Sequence, residues 1–193
     1  MAPAVDEIQS QHDARPVRTI AIDVDSVLAD VMLIWVQEYN KRHKTAISKK
    51  DIVRWDIPTI LPLTPEQVYE HFSYVWKHRW REIPPTEPDI GSLTKELNVR
   101  GFRVSIITKR ERPTVPFVAQ WLDMHDIYSD DLIFVYDAMP KADYPFDVLI
   151  DDAPINLIDV AAPKSAILFN QPWNATFDWP VRVNSLGEAM KLL

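Results

Sequence analysis

Three short apolar segments of the sequence end in side chains that could bind a metal ion. The first is followed by Asp23 and Asp25, the second by Thr108, and the third by Asp151 and Asp152. The segments are rich in β-branched residues and are predicted to form buried strands. Because parallel strands place their carboxyl ends at one edge of an α/β sheet, we expect these side chains to share a crevice. Clustered carboxylates repel one another unless a cation or proton is shared, so Mg²⁺ is the expected occupant.

The same residue types could carry out phosphoryl transfer, together with Lys141, ten residues before Asp151. Asp23 is the candidate nucleophile, which would form an aspartyl-phosphate, and Asp25 is the candidate general acid and base. Residues two apart in an extended backbone point to the same side, so both acids would face the crevice. Thr108 would hydrogen-bond a phosphoryl oxygen, and Lys141 would neutralise the nucleophile and the developing charge.

The predicted metal shell uses four of these positions. The side chain of Asp23 would bind the ion, and the spacing lets the main-chain carbonyl of Asp25 reach the same ion. Asp151 and Asp152 would complete the shell, with at least one of them bound directly.

The order of these motifs resembles that of the haloacid dehalogenase (HAD) superfamily, and within it the 5′(3′)-deoxyribonucleotidase-like branch. The resemblance covers about residues 17–193 and is carried by the phrases at residues 23–30, 141–152 and 167–174. It implies an Mg²⁺-dependent phosphomonoesterase acting through an aspartyl-phosphate. One departure is Ser26, where most relatives have glycine; this could tighten the turn after the nucleophile but removes no chemical group.

Two neighbouring classes of protein fit the motifs less well. Dehalogenases of the superfamily lack an acid at the position of Asp25 because halide leaves without a proton, whereas a phosphate ester's alkoxide is helped by one. Signalling receiver domains also gather acids, a threonine and a lysine around Mg²⁺, but in another order along the chain. Receivers are also shorter and lack an insertion after the first strand.

Composition is that of an ordinary globular protein of one main domain. The chain has 193 residues, of which 47% are hydrophobic and 25% charged, and it has no cysteine for disulfides or thiolate metal sites. Its net charge is −7 and its basic residues are scattered, so long nucleic acid is not an expected partner. With three glycines, no glycine-rich phosphate loop can be built.

No apolar segment of the sequence approaches the length of a membrane span, and the polar N-terminus lacks the core of a signal peptide. We therefore expect a cytoplasmic protein with no membrane partner. A homodimer is compatible with the sequence.

Alternating apolar segments predict a three-layer α/β Rossmann-like fold, with a parallel sheet covered by helices on both faces. The predicted strands cover residues 17–23, 102–107, 132–136, 147–150 and 166–169. The predicted helices cover residues 29–44, 64–79, 90–100, 116–125, 155–161 and 186–193. Thr64, Pro65 and Gln67 match an N-cap, a first-turn proline and a capping-box glutamine.

The same pattern predicts the domain organisation. Residues 17–29 and 86–193 would form the HAD-like catalytic core, and residues 30–85 a small helical cap inserted after the first strand. Residues 1–16 are predicted to be a flexible N-terminal tail. In the alternative layout, residues 30–85 pack against the sheet as part of one domain, with no mobile lid.

Aromatic residues in the predicted cap suggest the substrate. Aromatic faces stack on nucleobases at about 1–3 kcal/mol each, although we expect at least half of these residues to form the core of the cap. Trp55, Phe72 and Trp76 are the candidates for base contacts, and the resembled branch places cap aromatics around the base. Lys109 and Arg110, next to Thr108, are candidates for a substrate phosphate or carboxylate.

A small phosphorylated substrate is therefore expected, with a nucleoside monophosphate leading and a deoxyribonucleotide preferred. Two alternatives remain open from the sequence. The superfamily uses the same motifs on sugar phosphates and other small metabolites, and a non-catalytic module that binds a nucleotide or a protein could keep the fold.

Overall fold

Six parallel strands form the centre of the computed structural model, which describes residues 17–136 and 139–193. The strand order is β3-β2-β1-β4-β5-β6. The strands are β1 (Thr19–Ile22), β2 (Arg103–Lys109), β3 (Asp131–Val135), β4 (Val148–Asp151), β5 (Ser165–Phe169) and β6 (Arg182–Val183). The helices are α1 (Val31–His43), α2 (Pro65–His78), α3 (Ile90–Val99), α4 (Val115–Met124), α5 (Pro154–Leu157) and α6 (Leu186–Ala189). The predicted α/β fold is confirmed, and the predicted tail lies outside the described residues.

The centre of the sheet is apolar on both faces. The strand β1 is buried along residues 20–22, and β2 is buried along residues 104–108. Parallel strands covered by helices on both faces have this continuous apolar character. The register aligns Ile22 of β1 with Ile106 of β2 and with Ile150 of β4, so β1 and β4 end side by side while β2 continues to Lys109.

The order in which the chain adds strands changes direction at the centre of the sheet. From β1 it proceeds to β2 and β3 on one side, and later from β4 to β6 on the other. Such a switch point leaves a crevice outside the carboxyl ends of the two central strands, where α/β proteins bind their ligands.

Local signals correctly located the start of α2 and the end of α3. The Thr64 hydroxyl accepts a hydrogen bond from the Gln67 amide at 3.3 Å, and the Gln67 side chain accepts one from the Thr64 amide at 2.8 Å. Gly101 follows α3 with φ of 89°, a left-handed conformation that glycine adopts without a steric cost.

Three features differ from the predicted elements. The predicted helix at 155–161 ends at Leu157, where the chain turns and the Val160 amide donates to the Leu157 carbonyl. The predicted helix at 186–193 ends at Ala189, because turns of the 3₁₀ type replace it beyond that residue. The strand β6 was not predicted, since two residues are too short for a periodic pattern.

The segment 30–85, the predicted cap, contributes no strand to the described sheet. Its two ends are held together by a single antiparallel bridge between Ala29 and Pro85. One continuous cluster of buried apolar side chains runs from the sheet into α1 and α2. Such continuity fits one packed domain as well as a closed lid, so the division into cap and core stays a prediction.

Within the described ranges, no helix is both long enough and apolar enough to cross a membrane.

Candidate active site

Three buried carboxylates meet at the carboxyl ends of the central strands. Asp23 directly follows β1, Asp151 is the last residue of β4, and Asp152 follows it. Each offers an oxygen within 4.8 Å of the others. Asp23 is fixed there by its main-chain amide, which donates to the Ile150 carbonyl at 3.0 Å. Hard divalent cations prefer carboxylate oxygens in this kind of cluster, so the geometry fits a metal site.

Lys141 lies inside this cluster, where it partly neutralises the charge. Its buried ammonium group donates to Asp23 Oδ1 and to Asp151 Oδ2, both at 2.7 Å. Burial by itself lowers the pKa of Lys141, but the charges of Asp151 and Asp23 outweigh that effect and raise it above its usual value. The lysine therefore stays protonated, yet one cation cannot balance three carboxylates.

Asp151 and Asp152 are held by neutral donors as well. Asp151 accepts from the Ala153 amide at 2.8 Å and from the Asn156 side chain at 3.0 and 3.1 Å. Asp152 accepts from Trp173 Nε1 at 2.8 Å. Burial raises the pKa of Asp152 well above its usual value, and the nearby charges of Asp151 and Asp23 raise it further.

The carboxylate of Asp25 has different partners, although it lies two residues from Asp23. Its Oδ1 accepts from Trp76 Nε1 at 3.1 Å and forms an ion pair with the Arg110 guanidinium. Burial raises the pKa of Asp25, while the charge of Arg110 acts in the opposite direction. A raised pKa favours the protonated form, which is the form that a general acid needs.

Thr108 and Lys109 end β2 at the same edge of the sheet. Thr108 is buried, and Lys109 is exposed to solvent. Arg110, the next residue, is directed towards Asp25, and only 5% of its side chain is exposed. The structure thus brings Arg110 to Asp25, buries Thr108 at the same edge of the sheet and leaves Lys109 exposed to solvent.

A cavity of about 250 Å³ lies between α1, α2 and the segment that connects them. Its walls are mainly apolar and include Trp55, Tyr69, Phe72 and Trp173. Trp55 and Phe72 were predicted to contact the substrate; Trp76 was too, but it is fully buried and does not line this cavity.

Trp173 lies in the phrase at residues 167–174 that carries the family resemblance, but it was not among the predicted site residues. Its ring lines the cavity, and its Nε1 donates to Asp152. One side chain therefore touches both the apolar cavity and the carboxylate cluster. Its contact with Asp152 follows from the packing after β5, and the phrase at residues 167–174 did not report that contact.

A comparison with protein families decides the class of the chain. The model described as "5' nucleotidase, deoxy (Pyrimidine), cytosolic type C protein" matches residues 15–193. The chain belongs to this family. The membership confirms the resemblance to the HAD nucleotidases and makes the protein a phosphoric monoester hydrolase.

Individual proteins are also similar to this chain over most of its length. The 5'(3')-deoxyribonucleotidase of Bacillus subtilis (strain 168) is 29% identical over 181 residues, covering 91% of this chain and 98% of the relative. The haloacid dehalogenase-like hydrolase of Bacteroides fragilis has a TM-score of 0.63 at 18% identity, covering 90% of this chain and 99% of that one. A HAD hydrolase of Bacillus subtilis, solved bound to magnesium, has a TM-score of 0.54 at 12% identity, covering 93% and 99%. These two structures show the fold.

The backbone conformation of Ser26, in the turn after Asp23 and Asp25, predicts how a substitution there changes the stability of the protein. Ser26 has φ of 64°, a left-handed conformation that costs a residue with a Cβ about 1–2 kcal/mol. Glycine avoids that cost but loses about 0.5–1 kcal/mol of chain entropy. We expect Ser26→Gly to raise the free energy of unfolding by about 0.5–1 kcal/mol in urea titrations. Ser26→Ala, which keeps the Cβ, should show no gain; a Gly variant less stable than the parent would contradict this prediction.

The raised pKa of Asp152 predicts how metal binding depends on pH. The folded protein holds this proton more tightly than the unfolded chain, so the contribution of Asp152 is favourable below its usual pKa of 3.8. That contribution is lost as pH rises through the higher folded-state pKa. A bound Mg²⁺ would replace the proton, so we expect its stabilising effect to grow from pH 5 to pH 7.5.

The measurement is the melting temperature with Mg²⁺ and with EDTA at both pH values. A ligand at 100 times its Kd stabilises a protein by about 2.7 kcal/mol. Asp152→Asn should shrink the shift, whereas Asp178→Asn, a change at an exposed carboxylate, should leave it intact. A Mg²⁺ effect that is the same at both pH values would count against the metal site.

Proposed function

We propose that the protein is a Mg²⁺-dependent 5′(3′)-nucleotidase, which hydrolyses (deoxy)nucleoside monophosphates through an aspartyl-phosphate on Asp23. The observation that carries the proposal is the buried cluster of Asp23, Asp151 and Asp152, which Trp173 joins to an apolar cavity. With Mg²⁺ bound, the cluster would suit the phosphate of such a substrate, and the cavity suits its base.

The proposed reaction has two chemical steps. In the first, a carboxylate oxygen of Asp23 attacks phosphorus, the bond to the sugar oxygen breaks, and Asp25 gives its proton to that oxygen. In the second, Asp25 takes a proton from water, the water oxygen attacks phosphorus, and the acyl-phosphate bond breaks to release phosphate and free Asp23. Mg²⁺ would supply charge neutralisation for the phosphoryl oxygens and the carboxylates.

The residues around the nucleophile would stabilise charge during both steps. Lys141, already bonded to Asp23 and Asp151, would offset the negative charge that builds up on the phosphoryl group. Thr108, buried at the end of β2, would donate its hydroxyl to a phosphoryl oxygen. The proposed ion ligands are the side chains of Asp23, Asp151 and Asp152 and the main-chain carbonyl of Asp25.

The residues that line the cavity favour a nucleotide over a sugar phosphate as the substrate. Its walls offer aromatic rings at Trp55, Phe72 and Trp173, and rings of this kind stack on bases of any sequence. A sugar-phosphate pocket would instead need polar groups for several hydroxyls. The name of the Bacillus subtilis relative, 5'(3')-deoxyribonucleotidase, points to the same substrate class. Lys109, exposed at the end of β2, is part of this proposal only as a charge that attracts the phosphate.

The cap, the cytoplasmic location and a homodimer stay predictions alongside this proposal. If residues 30–85 move as a lid, their closure would exclude water from the crevice and select the substrate.

A phosphate-release screen tests the proposed substrate. At fixed Mg²⁺, we expect deoxynucleoside 5′- and 3′-monophosphates to give the highest kcat/KM, with ribonucleotides and sugar phosphates below them. Asp23→Asn protein serves as the control for contaminating phosphatases. Sugar phosphates leading the screen, with nucleoside monophosphates inert, would keep the chemistry and overturn the substrate.

A further inference from the structure

We infer that Trp76 and Arg110 are positioning residues for Asp25, which they hold by one of its two carboxylate oxygens. The inference rests on the proposed role of Asp25 as general acid and base. It assigns Trp76 and Arg110 a different function from the substrate contacts that the sequence predicted for them.

The two donors converge on the same atom. Trp76 Nε1 lies 3.1 Å from Asp25 Oδ1, and the Arg110 guanidinium pairs with the same Oδ1. Neither donor occupies Oδ2. A carboxyl group held in this way has one fixed oxygen, while the other remains for proton transfer to the leaving group.

Packing makes both donors rigid. Trp76 is fully buried, and its ring meets that of Trp121 edge to face with centroids 6.3 Å apart. Trp121 is anchored in turn by its Nε1, which donates to the Ile83 carbonyl at 2.9 Å. The Arg110 guanidinium lies 4.7 Å from the centroid of the Trp76 ring, so the two donors also support each other.

Arg110 is fixed at its backbone as well. Its amide donates to the Val135 carbonyl at 2.9 Å, and 5% of its side chain is exposed. Its Nε is buried with no hydrogen-bond partner among the described residues. Such a buried, partly unsatisfied guanidinium is costly to maintain, and its charge is directed at Asp25.

The three residues come from three separate parts of the fold. Asp25 follows β1 and Arg110 follows β2, whereas Trp76 lies on α2, in the segment 30–85. The orientation of Asp25 therefore depends on where α2 sits over the sheet. A movement of α2 away from the crevice would remove one of the two donors, which would link the position of the predicted cap to the readiness of the acid.

Leaving-group dependence separates positioning of Asp25 from binding of the substrate phosphate. A sugar alkoxide is a poor leaving group that needs a proton, whereas p-nitrophenolate leaves without one. A residue that positions the acid should matter for a deoxynucleoside monophosphate and matter little for p-nitrophenyl phosphate. A residue that binds the phosphate should matter equally for both, because both substrates carry the same phosphoryl group.

The experiment compares kcat/KM for 2′-deoxyuridine 5′-monophosphate and p-nitrophenyl phosphate, since this ratio reports the steps up to loss of the leaving group. General acid catalysis contributes about 10²–10⁴-fold, so we expect Arg110→Met to lose about 10–100-fold on the nucleotide and less than about 3-fold on p-nitrophenyl phosphate. Trp76→Phe, which keeps the ring and removes the donor, should lose about 3–10-fold with the same selectivity. Arg110→Lys, which can still donate to Oδ1, should recover part of the loss.

Two control variants remove the same kinds of group, an indole donor and a guanidinium, at sites away from Asp25. Trp179→Phe deletes an indole donor that bonds the Ala166 carbonyl, and Arg103→Met deletes a guanidinium that pairs with Asp131 at the opposite end of β2. Neither should change the ratio of the two kcat/KM values. Melting temperatures of all variants report whether each protein is folded at the assay temperature.

Equal losses on both substrates in Arg110→Met and Trp76→Phe would overturn the inference and assign these residues to binding or packing. Asp25→Asn is the reference variant, because it removes the proposed acid itself. If Asp25→Asn itself shows no selective loss on the nucleotide, the proposed acid role of Asp25 fails. If Asp25→Asn is selective and the two neighbours are not, only the positioning inference fails. Should Trp76→Phe not fold, the two Arg110 variants still decide the outcome.

Discussion

Asp23→Asn is expected to lower kcat by at least about 10⁴-fold, the scale of loss when a catalytic nucleophile is removed. The amide nitrogen and oxygen cannot attack phosphorus as a carboxylate does. The protein should remain folded, because removing one charge from the cluster of Asp23, Asp151 and Asp152 lessens their mutual repulsion. Steady-state phosphate release, with circular dichroism to verify the fold, measures both effects.

A second test of the nucleophile measures covalent phosphate on the protein, after reactions with radiolabelled substrate have been quenched with acid. With p-nitrophenyl phosphate, whose leaving group needs no proton, Asp25→Asn should still accumulate some phospho-enzyme, because its loss then falls on water activation, while Asp23→Asn should accumulate none. Asp123→Asn, at an exposed position on α4, is the matched control and should turn over normally. Covalent phosphate on Asp23→Asn protein would place the nucleophile elsewhere.

Lys141→Met is the second change with a large expected effect. The variant leaves Asp23 and Asp151 without the cation that bonds both, and breaking a buried ion pair costs about 3–5 kcal/mol. We expect a loss of stability of this size in EDTA, measured by urea unfolding, together with a severe loss of phosphate release. Mg²⁺ should restore part of the stability, because it supplies positive charge to the same carboxylates.

Lys164→Met is the control for the loss of a partly buried ammonium group. Lys164 donates to the carbonyls of Ala142 and Tyr144, so its removal leaves no carboxylate uncompensated. Its effect should not depend on Mg²⁺. If Lys141→Met were as stable as Lys164→Met in EDTA, the charge balance described for the cluster would be wrong.

Much of the fold follows from patterns that are local in the sequence. Strands β1, β2 and β4 can be recognised in the sequence as β-branched segments, because each is buried on both faces of the sheet. Their composition alone identifies them, without knowledge of the strands they pair with. The capping box at Thr64 and the stop at Gly101 are equally local, since both act within a few residues. Short elements such as β6 have no such pattern, because their pairing rather than their composition forms them.

The sequence by itself determined the α/β class and the residues at the ends of the central strands, among them Asp23, Asp151 and Asp152, because backbone periodicity and strand ends are encoded locally. Only the tertiary structure decided what surrounds those acids. Asp25 is bonded by residues 51 and 85 positions away, and Trp173 reaches Asp152 from across β5. Contacts of this kind depend on how helices and strands pack in three dimensions, and no spacing along the chain reports them.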